Sequence, residues 1–275
     1  MMEIFRKVKK VMLEALSPRK IQLPVRVPLL QTDLLRNRTA LVTGATRGIG
    51  FAIAEAFSRA GANVIITGRD DGRVKDAIAE LQKSGGEICG FVLDVKNVST
   101  FEKVLSGMPT FDILVNNAGF VGGAGFGATT EVEYDLTLDT NLKGHYFLSQ
   151  CVAKDWIARG THGNILNVCS ASSLRPGTSP YILSKWGIRS LTIGMARQLI
   201  KYGIVVNGIA PGVTNTDQFM HGAEDISKSS NPAGRMVTME EVANMAVILS
   251  SSLCRMVVGD ILYMTGGGGI VTLDD

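Results

Sequence analysis

The chain has 275 residues, 45% of them apolar and 19% charged, with 31 glycines and a net charge of +3. That is the composition of a globular protein with enough chain for a substantial core, and no apolar run reaches the ~18 residues of a membrane-spanning helix. The charge is lopsided: residues 1–38 carry nine Lys/Arg against Glu3, Glu14 and Asp33 and hold +6, leaving −3 for the rest, which argues against a nucleic-acid footprint across the body.

Residues 1–36 form a separate arm. Ile4, Phe5, Val8, Val11, Met12, Ala15 and Leu16 recur at helical spacing with basic residues between them. Arg6, Lys7, Lys9 and Lys10 interrupt any apolar h-region, so no secretory signal is expected. Pro18, Pro24 and Pro28 then impose an extended course. The arm reads in two ways. Residues 1–20 suit a basic amphipathic helix on an anionic membrane surface; packing on the body or a neighbouring subunit is the favoured reading.

Residues 37–275 read as one domain. A buried strand is expected at 39–44, a helix at 49–60, a strand at 63–67 and a helix across 72–84. A third strand covers 87–93, a helix 97–107 and a fourth strand 111–116. One long helical stretch runs from 130 to 159, followed by a strand at 163–169, a helix at 180–201 and a strand at 204–210. The aperiodic stretch 213–237 reads as a flap over a site. A helix at 239–251 and a strand at 260–264 close the chain. Strands and helices alternating at this spacing predict an α/β fold: a doubly wound, mostly parallel sheet of about seven strands.

Gly44, Gly48 and Gly50 follow the first strand and open the first helix, spaced G-x-x-x-G-x-G. A pyrophosphate needs close backbone approach that a Cβ would obstruct, and a helix N-terminus offers free N–H groups and partial positive charge. Tyr181 and Lys185 stand four residues apart behind Ser179 and Pro180, a helix-start signature, so both share one face. A phenol alone holds its proton too tightly for efficient base chemistry near neutral pH. An ammonium beside it favours the phenolate, and the pair suits general acid/base work. His145, His162 and His221 are scattered, and Cys89, Cys151, Cys169 and Cys254 form no C-x-x-C pair. No metal site is expected, and the thiols read as free in a reducing cytosol, which predicts a cytoplasmic protein.

Five ordered motifs give the chain a specific resemblance. Thr43-Gly44-Ala45-Thr46-Arg47-Gly48-Ile49-Gly50, Asn116-Asn117-Ala118-Gly119, Asn141 in Asn141-Leu142-Lys143-Gly144, Ser170 followed by Tyr181 and Lys185, and Pro211-Gly212-Val213-Thr214-Asn215-Thr216 resemble the short-chain dehydrogenase/reductase family, single-domain type, over residues 38–269. The resemblance implies a catalytic set of Asn141, Ser170, Tyr181 and Lys185. It implies cofactor contacts from Gly44, Thr46, Arg47, Gly48, Ile49, Gly50, Asp94, Val95, Asn117, Ala118, Gly119, Pro211, Gly212, Val213 and Thr216. It also places Lys185 on the nicotinamide ribose and gives Asn141 a water that links Lys185 to solvent. Ser170 precedes Tyr181 by 11 residues, a shorter interval than is usual in the family, and Ser172 and Ser173 lie nearby. Ser170 is preferred because it ends the strand, at the active edge of an open sheet. A hydroxyl there can donate to a substrate oxygen on which negative charge grows.

The second strand ends in Thr67-Gly68-Arg69-Asp70, with Gly68 where NAD enzymes commonly place an acid. Arg69 and Arg47 suit a 2′-phosphate, so NADP(H) is expected over NAD(H), with Asp70 the alternative ribose partner. The general resemblance is to 3-oxoacyl-(acyl-carrier-protein) reductases. It implies a small-molecule or acyl-thioester substrate and a homo-oligomer, dimer or tetramer; reductases of sugar, polyol, steroid or quinone substrates share such motifs. A non-catalytic NADP(H) sensor or scaffold is the rival from another class, and the intact Tyr181/Lys185 pair weighs against it.

Overall fold

The computed structural model describes residues 33–216 and 231–269. The arm through residue 32 and residues 217–230 of the expected flap lie outside the described residues, as do 270–275.

Seven strands form one sheet: β1 Thr39–Val42, β2 Asn63–Gly68, β3 Ile88–Val92, β4 Ile113–Asn116, β5 Asn164–Val168, β6 Val205–Pro211 and β7 Ile261–Met264. Their order is β3-β2-β1-β4-β5-β6-β7, and every pairing is parallel. Parallel strands need crossovers, and helices supply them. These are α1 Gly48–Arg59, α2 Asp71–Leu81, α3 Phe101–Ser106, α4 Glu131–Leu138, α5 Gly144–Arg159, α6 Pro180–Leu199 and α7 Met239–Ser250. The order reverses direction at β1 and β4, which opens a crevice at the carboxyl ends of those strands.

The strands are mostly apolar because helices cover both faces of the sheet. Ala40, Val42, Val64, Ile66, Ile113 and Val115 point to one side and pack with Ile53 and Phe57 of α1 and Val242, Ala246 and Val247 of α7. Their neighbours Leu41, Ile65 and Leu114 point to the other and pack with Leu148, Val152 and Trp156 of α5. Trp156 is fully buried, meets Phe111 edge-on at 5.9 Å, and donates its Nε1–H to the Phe111 carbonyl at 2.9 Å. Leu35, within the expected arm, is also fully buried and donates its N–H to Ala60 O.

Helix starts follow the side-chain chemistry of capping. Asp70 caps α2, Thr130 caps α4, Ser179 caps α6 with Pro180 behind it, and Thr238 caps α7. Thr130 with Glu133, and Thr238 with Glu241, are full capping boxes. Helix α1 follows the extended Arg47 with no side chain capping its N–H groups, while α3 and α5, also without a side-chain cap, continue from helical turns before them. The expected continuous helix over 130–159 is broken by a π-helical turn at Asp139–Lys143. One extra residue fits there because the Asn141 side chain turns inward onto Phe120.

Candidate active site

The glycine turn and the turn after β4 interlock at the crevice. Gly44 and Gly48 adopt left-handed φ of 62° and 61°, where a side chain is strained. A Cβ on Gly44 would lie 2.8 Å from Ala118 Cα. One on Gly50 would collide with Asn117 Nδ2 and stand 2.6 Å from Gly44 O. Thr43 Oγ1 accepts from the N–H groups of Asn117 (3.0 Å) and Ala118 (3.1 Å). Asn117 Nδ2 donates back to the Thr43 and Gly44 carbonyls at 2.9 and 3.1 Å. Asn117, expected at the cofactor, therefore spends its amide on shaping the glycine turn. The uncapped N-terminus of α1 follows at once and can receive an anion.

The end of β2 packs against the glycine turn. Gly68 is buried, and a Cβ there would lie 2.6 Å from Thr46 Cγ2, so an acidic side chain has no room. Asp70, the alternative partner, accepts from Arg73 N at 2.8 Å and is committed to capping α2. Arg47 and Arg69 are both exposed and make no ion pair among the described residues. Asp94 and Val95 follow β3. Asp94 Oδ1 accepts from Lys96 N, and Val95 is buried against Gly144, where a Cβ would come 2.6 Å from Val95 O.

Helix α6 carries Tyr181 in its first turn and Lys185 one turn later. Lys185 is only 5% exposed, and its Nζ donates to Val168 O at the end of β5 at 2.9 Å, 5.7 Å from the Tyr181 ring centroid. Ser170 lies two residues beyond Val168 in extended backbone, and its Oγ accepts from Ser172 N. Ser173 is fully buried and donates to Ser170 O at 2.8 Å, which makes it a support for Ser170. Cys169 beside it stays a thiol, since burial pushes it up to about 11. Asn141 is fully buried. Its Oδ1 accepts from Phe120 N at 2.7 Å, and its Nδ2 donates to Phe120 O and to Ser184 Oγ, which in turn donates to Tyr181 O. The side chain of Asn141 thus ties the turn after β4 to the first turn of α6.

Residues after β6 close the other end. Gly212 N donates to Met264 O, and Thr214 Oγ1 donates to Gly212 O. Thr216 Cγ2 stands 3.9 Å from the Cβ position on Gly48, so this segment reaches across to the glycine turn. Pro211 ends β6, and Val213 is exposed.

A polar layer under the site escaped the sequence reading. Asn116 donates to Ser149 Oγ and Asn167 Oδ1, and Asn167 donates to Thr192 Oγ1, all buried. The available signal was an asparagine within the last two residues of both β4 and β5.

Chemically, the crevice offers an uncapped helix N-terminus behind glycines, a phenol over which an ammonium is fixed, and a hydroxyl at a strand end. Residues 44–268 match the profile of the family described as enoyl-(acyl carrier protein) reductase. Gluconate 5-dehydrogenase of Gluconobacter oxydans is 34% identical over 244 residues, 85% of this chain and 95% of that one. A 3-oxoacyl-[acyl-carrier-protein] reductase of Chlamydia muridarum is 35% identical over 246 residues, 86% and 98% of the two chains. The crystal structure of a gluconate 5-dehydrogenase from Burkholderia cenocepacia, in complex with NADP and tartrate, superposes with a TM-score of 0.80 at 32% identity, covering 88% of this chain and 99% of that one.

Proposed function

We propose a function from one premise: the chain belongs to the short-chain dehydrogenase/reductase family, oxidoreductases of CH–OH and C=O groups that use NAD(P). On our reading it is an NADP(H)-dependent reductase of a ketone, with Asn141, Ser170, Tyr181 and Lys185 as its catalytic set. The observation that carries this is the Lys185 ammonium, anchored on the last carbonyl of β5 and set over the Tyr181 ring.

The dinucleotide supplies hydride chemistry when bound. The glycine turn and the first N–H groups of α1 hold its phosphates, with Thr46, Ile49, Asp94, Val95, the Asn117–Gly119 turn and Pro211–Thr216 around it. Arg47 and Arg69 take the 2′-phosphate, which the blocked Gly68 position and the committed Asp70 favour over a bare ribose. Ser170 donates a hydrogen bond to the substrate oxygen, and Tyr181 delivers the proton to it. Lys185 supplies the positive charge beside the phenol as the proton leaves. Asn141 holds the backbone that carries Tyr181.

For substrate we favour a ketone with an apolar flank, such as a 3-oxoacyl thioester. The 120–127 loop lies against the start of α6, where a Cβ on Gly123 would stand 2.9 Å from Pro180 Cδ. It exposes Phe120, Val121 and, at 90%, Phe126. Kinship with gluconate 5-dehydrogenase favours a second reading, a keto sugar acid, which the exposed Arg175 after Ser170 could engage. A panel of 3-oxoacyl thioesters, simple ketones and 5-ketogluconate, followed by NADPH absorbance, separates them. Turnover of the thioesters above the sugar acid supports the first reading, and the reverse order refutes it.

The exposed Tyr146 and Phe147 of α5 and Leu183, Trp186 and Ile193 of α6 support a homo-oligomer built on these helices. Light scattering on the purified protein tests it, and a monomer at micromolar concentration refutes it. We assign residues 1–36 as an arm that packs on the body or on a partner copy. Flotation of the full chain with anionic vesicles would overturn that assignment.

A further inference from the structure

His145 is a buried titratable group with no place in the chemistry above. It is the second residue of α5, fully buried, with Nε2 2.8 Å from the Ala118 carbonyl oxygen. A carbonyl only accepts, so the ring donates from Nε2, and in the neutral ring Nδ1 is left with a bare lone pair. Nδ1 has no partner among the described residues.

Ala118 is where the two turns at the crevice press together. Thr43 Oγ1 holds its N–H, and its Cα lies against Gly44 closely enough to forbid a methyl there. His145 grips the carbonyl at the other end of the same residue. The preceding Gly144 meets the other cofactor-side turn, where any Cβ would strike the Val95 carbonyl. The first turn of α5 therefore braces both turns that border the proposed dinucleotide site.

The identity of the donor matters as well. Burial, and then the nearby Lys185 ammonium, hold the ring's pKa down to about 3, so it stays uncharged at neutral pH. A lysine or arginine in its place would set a second cation against Lys185 in a buried space. Histidine provides the N–H without the charge.

We propose that His145 is a positioning residue for the dinucleotide: its Nε2–H holds the Ala118 carbonyl and so sets the Asn117–Gly119 turn against the glycine turn that receives the phosphates. This rests on the oxidoreductase reading and deepens it. The test compares wild type with His145→Leu, which keeps bulk without a donor, and His145→Gln, whose amide N–H can reach the same carbonyl. NADPH affinity is measured directly by fluorescence titration, and KM and kcat follow with the best ketone of the panel. Leaving a buried carbonyl unpaired predicts an NADPH Kd weakened about tenfold in His145→Leu, with the ketone KM within about twofold. His145→Gln returns to within about threefold of wild type.

A folded His145→Leu with wild-type NADPH affinity overturns the proposal, as does His145→Gln no better than His145→Leu. Should the leucine variant not fold, long-range ¹H–¹⁵N spectra of the wild type decide. The proposal expects the Nε2–H tautomer and a shift of its signals on NADPH addition; the Nδ1–H tautomer, or signals unmoved at saturation, refutes it. Wild type that binds neither NADPH nor NADH sinks the oxidoreductase reading and this inference together, whereas binding with indifferent variants sinks this inference alone.

Discussion

Adding one methyl group at Gly50 tests how tightly the two turns at the crevice are locked. In Gly50→Ala the new Cβ would overlap Asn117 Nδ2 and lie 2.6 Å from Gly44 O and 3.1 Å from Ala45 Cα. Two of these neighbours are backbone atoms, and Asn117 Nδ2 is held by the Thr43 and Gly44 carbonyls, so none can yield cheaply. Overpacking of this kind costs about 1–3 kcal/mol. Weakening two amide bonds adds about 1 kcal/mol each, while alanine in a helix returns about 1 kcal/mol. The net loss is about 2–4 kcal/mol, or roughly 4–16 °C in Tm for a domain of this size. The displaced Gly44 carbonyl should also weaken NADPH binding by about tenfold, since the phosphates need that turn in place. Circular-dichroism melts and fluorescence titration read both effects. A Gly50→Ala protein that melts and binds NADPH like wild type would refute the interlock.

Charge and pH give further tests. Replacing Arg47 and Arg69 together by alanine should weaken NADPH by about 10²-fold or more and leave NADH within about twofold, since each charge-assisted bond contributes about 1.5–3 kcal/mol. Equal loss for both cofactors would place the arginines elsewhere. His145 has a folded-state pKa near 3, below its ordinary 6.5, so the unfolded chain binds the extra proton between those values. Stability is then fully present above about pH 6.5 and falls as pH drops toward 3, by at most about 1.4 kcal/mol per pH unit. Urea melts from pH 7 to 4 should show this slope in wild type and a shallower one in His145→Gln. Parallel curves would show that the ring is not held neutral by the fold.

The sheet was legible because its inner strands are covered on both faces, so runs such as Val64-Ile65-Ile66 carry an unbroken apolar signal. Strand ends were less legible. β1 stops at Val42, because Thr43 turns its hydroxyl to the Asn117–Ala118 backbone instead of continuing the expected run to Gly44. The π turn at Asp139–Lys143 escaped the reading because its anchor, the bond from Phe120 N to Asn141 Oδ1, comes from a distant segment that no local period records. Asp70 read as an alternative ribose partner, and only the bond from Arg73 N shows that its carboxylate caps α2 instead. His145 looked like one of three scattered histidines. Its partner, the Ala118 carbonyl, lies 27 residues away and carries no side-chain signature.

The central claim is that Tyr181 moves the substrate proton beside a bound nicotinamide. Tyr181→Phe removes one hydroxyl and leaves the glycine turn and the Lys185 anchor on Val168 in place. Stopped-flow mixing of this variant with NADPH and the best ketone reads binding and turnover in one experiment. The account predicts NADPH binding within about threefold of wild type, with the reduction step slowed by at least about 10²-fold. Reduction at the wild-type rate would contradict it.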